Sequence, residues 1–193
     1  EVLEKIWNTN KHLLIEKPLC TTIDDCKKFQ LISKDYSKVI WVGMEYRYMP
    51  PVKKLIERVH NKTLGKLKMV SIREHRFPFL KKVDNWNRFD SNTGGTMVEK
   101  CCHFFDLMRF ITQSEVKQVF ASGSQDVNHL DEKYSGKVPD IIDNGFVIID
   151  FQSGVRGLLD LCMFAENSEY QEEVVAVGDK GKIEAFVPSH DSG

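Results

Sequence analysis

The segment TMVEKCCHFFDLMRFI, residues 96–111, combines an almost continuous apolar surface with three ionisable side chains. Glu99, His103 and Asp106 follow one another at intervals of four and three residues, so a helix places them on one stripe. A helix that is apolar nearly all round is expected to be buried, and burying charged groups is costly unless they are paired or contact a ligand. The stripe therefore indicates a cleft in which His103 acts as a general base near neutral pH, oriented by a carboxylate.

Two other interpretations of this stripe stay open. Glu99 and Lys100 also fit the solvent-exposed first turn of a helix, with His103 as a hydrogen-bonded core histidine, because ionisable groups occur in purely structural networks too. The Glu-x-x-x-His spacing can also place two metal ligands on one helical face. A third ligand is not evident, so the sequence favours no metal site.

A second candidate for chemistry follows a short apolar run near the start of the chain. The run HLLI at 12–15 is typical of a buried strand, and Glu16, Lys17 and Pro18 come directly after it. Ligands of parallel α/β sheets bind beyond the carboxyl ends of the strands, so Lys17 can hold a substrate hydroxyl or a cofactor there. Pro18 rigidifies the turn, and its peptide bond can be cis. A solvated lysine in a turn is the simpler alternative.

The elements that must position these residues change in character after about residue 45. The first part reads as helix 1–9, strand 12–15, helix 23–34 and strand 39–42, a series that predicts a parallel sheet covered by helices. The second part predicts a mostly antiparallel sheet with a tight turn at 152–154. Its expected elements are helices at 50–60 and 96–111, polar loops at 78–93 and 126–140, and strands at 67–77, 116–125, 141–151, 155–164, 170–178 and 182–187.

Composition excludes several classes of protein. The chain has 193 residues, with 27 Lys and Arg against 28 Asp and Glu, so its net charge of −1 gives no electrostatic footprint for nucleic acid. No run of about 18 apolar residues is present, so we expect no membrane span. The five cysteines form no CxxC pair and no disulfide framework, which favours a reducing, cytoplasmic location.

Five segments, taken in order, carry a resemblance to a known family. They are HLLIEKPLCTTIDDCKKF, GMEYRYMPPVKKLIE, NTGGTMVEKCCHFFDLMRF, DNGFVIIDFQSGVRGLLDLCMF and VVAVGDKGKIEA. In this order they resemble the strand–EKP–helix segment, the entry to the second domain, the Gly-Gly helix and the later strands of the glucose-fructose oxidoreductase / inositol dehydrogenase / MocA family. The resemblance implies a fold of class α/β plus α+β. Residues 1–45 would be a C-terminal remnant of a Rossmann dinucleotide-binding domain, and 46–193 an open, mostly antiparallel substrate-binding and oligomerisation domain with helices on one face.

The resemblance also implies roles for the residues that match the family's motifs. Lys17 matches a lysine that lies near both nicotinamide and substrate, with Glu16 and Pro18 beside it on the cofactor side. His103 matches the histidine that removes the substrate hydroxyl proton as hydride leaves the carbon. Glu99 matches an acid, usually Asp, that positions the substrate or the histidine.

Further side chains are expected to line the substrate cleft. The resemblance implies this for Arg47, Trp86 and Asp106, and Tyr46 is a neighbouring candidate. Lys100 and the Cys101-Cys102 pair match no known role of the family and receive none here.

One family feature is not found in this sequence. Members carry a Gly-rich phosphate loop, whereas this chain has no GxG, so the pyrophosphate site and the residue that selects NAD or NADP are not predicted. The chain also starts at Glu1 without a Met. We therefore expect a fragment that lacks the N-terminal part of the Rossmann domain and a C-terminal portion, and that is inactive by itself.

Two strands are apolar on both faces, at 141–151 and 155–164. Such strands need cover on both sides. The helix at 96–111 can supply one cover, and a second copy of the chain can supply the other, because exposed apolar patches mark interfaces. We expect a homo-oligomer through the open sheet face; cover by further segments of the same chain is the alternative.

The leading functional hypothesis is an NAD(P)-dependent oxidoreductase acting on a sugar, cyclitol or related polyol. Lys17 and His103 carry the proton chemistry and Glu99 positions it. The alternative is a non-catalytic sensor or scaffold of the same fold that binds a sugar or a dinucleotide, and a metal-dependent hydrolase ranks third. Neither a nucleic acid nor a membrane is an expected partner.

Overall fold

The structure is a computed structural model that describes residues 2–7 and 9–188. Positions 1 and 8 of the predicted helix 1–9, and positions 189–193 of the predicted second domain, lie outside the described residues. Among the residues described, no helix is long and apolar enough to cross a lipid bilayer.

The N-terminal elements follow the predicted alternation of helix and strand. They are α1 (Val2–Trp7), β1 (Leu13–Ile15), α2 (Ile23–Ser33) and β2 (Ile40–Val42). Strands β1 and β2 pair in parallel, as predicted, and the Thr22 hydroxyl caps α2 by accepting a hydrogen bond from the Asp25 amide at 3.1 Å.

The prediction that these two strands are buried is wrong for one face of the small sheet. Leu14 and Trp41 are paired neighbours across β1 and β2, and they are 75% and 50% exposed. Successive strand residues point to opposite faces, so Leu13 is buried while Leu14 is not. Helix α2 contributes no buried side chain to either face.

The second part of the chain builds one six-stranded sheet with the spatial order β4-β5-β6-β3-β7-β8. All neighbouring strands are antiparallel except β3 and β6, which are parallel. This mixed, mostly antiparallel sheet confirms the predicted fold class. The strands are β3 (Leu67–His75), β4 (Val116–Ser124), β5 (Asn144–Phe151), β6 (Arg156–Cys162), β7 (Tyr170–Gly178) and β8 (Lys182–Pro188).

Helices pack on one face of this sheet and form the core with it. Helix α3 (Pro50–His60) buries Val52, Leu55, Ile56 and Val59, whose spacing is that of one helical face. Each fully buried side chain of this kind stabilises the fold by about 1.5–3 kcal/mol. The remaining helical elements are 3-10 helices at Glu45–Tyr48 and Val83–Arg88, and α4 (Asp90–Thr93), α5 (Gly95–Glu99) and α6 (Cys102–Thr112).

The predicted single helix over 96–111 is two helices, α5 and α6, separated at Lys100 and Cys101. At the break the Cys101 amide reaches back to the Thr96 carbonyl at 3.2 Å. The Lys100 side chain turns into the protein towards buried carboxylates, a constraint that helical periodicity alone does not reveal. The break leaves the Glu99 carbonyl at a helix end, free to accept a side-chain donor.

Most other boundaries agree with the prediction to within two residues, and two segments differ by more. The loop predicted over 78–93 contains the second 3-10 helix and α4. The strand predicted from residue 141 begins at Asn144, because the preceding Asp143 carboxylate accepts the backbone amides of residues 126–128 and fixes the polar loop instead.

Gly178 marks the closest approach of β7 to the turn after α3. A Cβ at this position would overlap the Leu64 carbonyl oxygen and would lie 2.8 Å from the Leu64 carbonyl carbon. We expect Gly178→Ala to lower the free energy of unfolding by about 1–3 kcal/mol, measured by denaturant titration. Gly181→Ala is the matched control, since its nearest contact is the flexible Leu64 Cδ2 at 3.8 Å. Equal stability of the two variants would contradict the close packing.

Candidate active site

The turn after β1 brings Lys17 to the break between α5 and α6. The Lys17–Pro18 peptide bond is cis. The Lys17 ammonium donates a hydrogen bond to the Glu99 carbonyl oxygen at 2.8 Å, the carbonyl that the helix break leaves free. The two candidates singled out from distant parts of the sequence are thus adjacent in space.

The Glu99 carboxylate is almost fully buried and is held at one oxygen only. The Lys82 ammonium lies 3.2 Å from Glu99 Oε1, whereas Oε2 is buried without a hydrogen-bond partner. Lys82 in turn lies 5.0 Å from the centre of the Trp86 ring. Trp86 therefore borders the site through Lys82, and one carboxylate oxygen of Glu99 remains available to accept a hydrogen bond.

His103 is buried in the first turn of α6. Its ring packs against the Tyr46 ring at a centroid distance of 4.8 Å, and its Nε2 lies 3.8 Å from Glu45 Oε1. Burial, and then the charges of Lys17 and Lys100, lower the pKa of His103 to about 3. The imidazole is therefore neutral at physiological pH, and its pKa lies below the near-neutral range that the sequence predicts for this base. Its Nδ1 is buried without a protein partner.

Arg47 and Asp106 form a two-point ion pair with each other. Arg47 Nε donates to Asp106 Oδ2 at 2.6 Å, and the second guanidinium nitrogen donates to Oδ1. The guanidinium also lies 4.4 Å from the centre of the Phe110 ring. Because each group neutralises the other, both belong to the wall of the cleft and neither is a free charge in it.

Two clefts border the carboxyl ends of β1 and β2, where a parallel sheet places its ligands. One has a volume of about 360 Å³ and includes Trp41 and Arg47 in its lining. The other, of about 460 Å³, includes Pro18 and Met97. Both are lined by Leu19, Met44 and Asp106. Pro18 thus borders one of these clefts, whereas Lys17, Glu99 and His103 line neither of them.

Sequence reasoning missed several charged residues around this site. Lys82 and Glu45 lie on a loop and a 3-10 helix and carry no sequence signal. Glu74 and Glu172 are fully buried, and a signal for them existed: Val70 and Ile72 precede Glu74 at the two-residue spacing of inward-facing strand positions. Glu172 likewise precedes the buried Val174 and Ala176.

Within the part of the chain that the structure describes, no group of three or more His, Cys, Asp or Glu side chains is arranged to hold a metal ion. Glu99 and His103, the two proposed ligands of that alternative, instead contact Lys82 and Tyr46.

Comparison with known proteins identifies relatives over almost the whole chain. Residues 56–193 match the oxidoreductase family's C-terminal alpha/beta domain, and residues 1–44 match its NAD-binding Rossmann fold. A myo-inositol 2-dehydrogenase from Thermotoga maritima is 33% identical over 173 residues, which cover 90% of this chain and 48% of that protein. The chain therefore spans about half the length of this curated relative.

Solved structures show the same fold. A probable dehydrogenase from Thermotoga maritima superposes with a TM-score of 0.77 at 29% identity, covering 96% of this chain and 53% of that one. The aldose-aldose oxidoreductase from Caulobacter crescentus gives a TM-score of 0.78 at 20% identity, covering 100% of this chain and 54% of its own. With both domain types of one family matched in order, the chain belongs to the glucose-fructose oxidoreductase, inositol dehydrogenase and MocA family of oxidoreductases.

Proposed function

We propose that the protein containing this chain is an NAD(P)-dependent oxidoreductase that transfers hydride between nicotinamide and a hydroxyl-bearing carbon of a polyol such as inositol. The observation that carries this proposal is the convergence of Lys17, Glu99 and His103 at one helix break. The similarity to a myo-inositol 2-dehydrogenase supports the substrate class. NAD and NADP are both open as cofactors.

The residues present fit the nicotinamide end of such a cofactor. The turn Glu16–Pro18 supplies a cation beside apolar clefts lined by Leu19 and Met44. The chemistry that a bound nicotinamide supplies is hydride exchange at its ring carbon C4. We assign residues 1–45 to the cofactor side and 46–193 to the substrate side.

The proton chemistry follows from the protonation states of the site. In the oxidising direction the substrate loses a hydride from carbon and a proton from its hydroxyl, and a C=O bond forms. His103 is neutral and has an unpartnered nitrogen, so it accepts that proton. Lys17 keeps donors free beyond its single bond to Glu99, so it holds the substrate oxygen as negative charge develops. Glu99 Oε2 accepts a hydrogen bond from a neighbouring hydroxyl and fixes the ring.

The test is to express the complete gene product that contains this chain and to assay NAD⁺ and NADP⁺ reduction with inositols, aldoses and linear polyols. We expect turnover of at least one cyclic polyol. A protein that binds NAD(P)H, measured by fluorescence titration, but turns over no polyol would favour the sensor or scaffold alternative instead.

We also propose that the protein acts in the cytoplasm and forms homo-oligomers through its sheet. All five cysteines are free, which suits a reducing compartment. Phe120, Ile148 and Leu158 lie side by side across β4, β5 and β6 on the face away from the helices, and all three are exposed. An apolar row of this kind is typical of an interface.

Replacing Ile148 with aspartate is expected to convert oligomers into monomers, because it places a charge in the centre of this row. The mass is measured by light scattering coupled to size exclusion. Val127→Asp is the matched control, since Val127 is equally exposed but lies in the polar loop. A monomeric parent protein, or an Ile148→Asp variant of unchanged mass, would refute the interface.

A further inference from the structure

Lys100 is buried in a cluster of charged and polar groups that the proposed proton chemistry does not use. Its ammonium lies 2.9 Å from Glu74 Oε1 and 3.8 Å from Glu172 Oε1, and it donates to the Tyr46 hydroxyl at 3.0 Å. Glu74 and Glu172 are paired across β3 and β7, with side chains 0% and 2% exposed. We name these four residues the Lys100 cluster.

The Lys100 cluster is expensive to bury. Removing an ion from water costs several kcal/mol, even after relaxation. Burial accordingly raises the pKa of Glu74 to about 8, although two cations, Lys100 and Arg76, lie within 4 Å of its Oε1. Apolar side chains would fill the same space at no such cost, as Ile72 and Val174 do beside it. Charged groups at this position therefore indicate a role in holding a neighbouring side chain in a defined orientation.

Tyr46 connects the Lys100 cluster to His103. Its hydroxyl accepts a hydrogen bond from Lys100 and donates one to Glu172 at 2.5 Å, so the phenol is held from both sides. The same ring packs against the His103 imidazole. His103 Nδ1 has no hydrogen-bond partner and Nε2 is 3.8 Å from Glu45 Oε1, so the Tyr46 ring is a contact that can set the orientation of the imidazole.

We propose that Lys100 is a positioning residue, an inference that rests on the proposed function. Through the Tyr46 ring, whose hydroxyl it helps to hold, Lys100 keeps the His103 imidazole in the orientation that accepts the substrate proton. Its fixed charge has a second effect. The charged groups that face His103 are Lys17 from the turn after β1, Lys100 from the break between α5 and α6, and Glu45 from the first 3-10 helix. Burial is the largest cause of the lowered pKa of His103, and the two lysines lower it further because they disfavour a third positive charge.

The experiment replaces Lys100 with methionine, which keeps the length of the side chain and removes its charge and donors. Imidazole nitrogens are observed by long-range ¹H–¹⁵N NMR, with His103 assigned from a His103→Gln sample. We expect displaced His103 signals and a rise of about one unit in the pKa of His103. We also expect kcat to fall at least about tenfold with KM nearly unchanged, because orientation affects the transition state.

Three further variants keep the test decisive. Lys53→Met, on the exposed face of α3, controls for the substitution itself. Tyr46→Phe keeps the ring and removes the hydroxyl that clamps it, so it should reproduce part of the NMR change. Glu74→Gln combined with Lys100→Met replaces both partners of this contact by neutral side chains and is used if the single variant fails to fold.

Unchanged His103 signals in a folded Lys100→Met protein would overturn the proposal. Failure of the Glu74→Gln, Lys100→Met double variant to fold would overturn it too, because the Lys100 cluster would then serve stability. The NMR measurement needs neither cofactor nor substrate. A parent protein without polyol turnover would therefore refute the proposed function while leaving the orientation of His103 measurable.

Discussion

Replacing His103 with glutamine is expected to reduce kcat for polyol oxidation by about 10²–10⁴-fold, the range for loss of a general base. Glutamine keeps a polar group of similar length but cannot take up a proton. The imidazole it replaces is buried and neutral, with a nitrogen that has no protein partner, whereas Asp106, the carboxylate of α6, is paired with Arg47. Steady-state rates of NAD(P)H formation provide the measurement.

His60→Gln is the matched control for this variant. His60 ends α3 and its Nε2 lies 3.1 Å from the Phe110 carbonyl oxygen, away from Lys17 and Glu99. We expect its kcat to stay within a factor of about two, as is usual for a change worth less than 0.5 kcal/mol. A folded His103→Gln protein with the rate of the parent would remove His103 from the mechanism.

Replacing Lys17 with methionine is expected to reduce kcat/KM by about 10²–10³-fold, the cost of losing one donor to a developing oxyanion. The loss has two sources. The substrate oxygen loses a charged donor, and the Glu99 carbonyl oxygen loses the hydrogen bond that ties the turn after β1 to the helix break. Loss of the charged donor lowers kcat, whereas loss of the hydrogen bond to Glu99 weakens the contact between the turn after β1 and the helix break.

Measuring NAD(P)H affinity separately distinguishes these two effects in the Lys17→Met protein. Lys27→Met, on the exposed surface of α2, is the control and should behave as the parent. An unchanged kcat/KM in Lys17→Met would show that Lys17 is only a solvated turn residue, the alternative that the sequence left open.

The elements around the site could be predicted where the sequence pattern that determines them involves only adjacent residues. The EKP turn and the tight turn at 152–154 depend on a few adjacent residues, and each is found where it was expected. The break at Lys100 was not predictable in this way. It depends on Glu74 and Glu172, which come from two strands far along the chain in either direction.

Some features of the candidate site could likewise be predicted from the sequence, and others could not. Lys17, Glu99 and His103 were singled out from residue type and spacing, and the structure brings Lys17 to Glu99 directly. The pairing of Arg47 with Asp106 was not foreseen, because it joins a 3-10 helix to α6, two elements that are distant in the sequence. A helical stripe indicates which residues share a face, but it does not reveal which charges are already neutralised by a neighbour.

The position of β3 in the sheet has a consequence for how the chain reaches its native state. Strands β4, β5 and β6 form one set of antiparallel neighbours and β7 and β8 form another, and β3 lies between them. Each set can close from nearby residues, whereas β3 must wait for partners synthesised long after it. High contact order of this kind slows folding towards the millisecond to second range. We therefore expect the joining of β3 to both sets to limit the folding rate, and Glu74 enters the core with this strand.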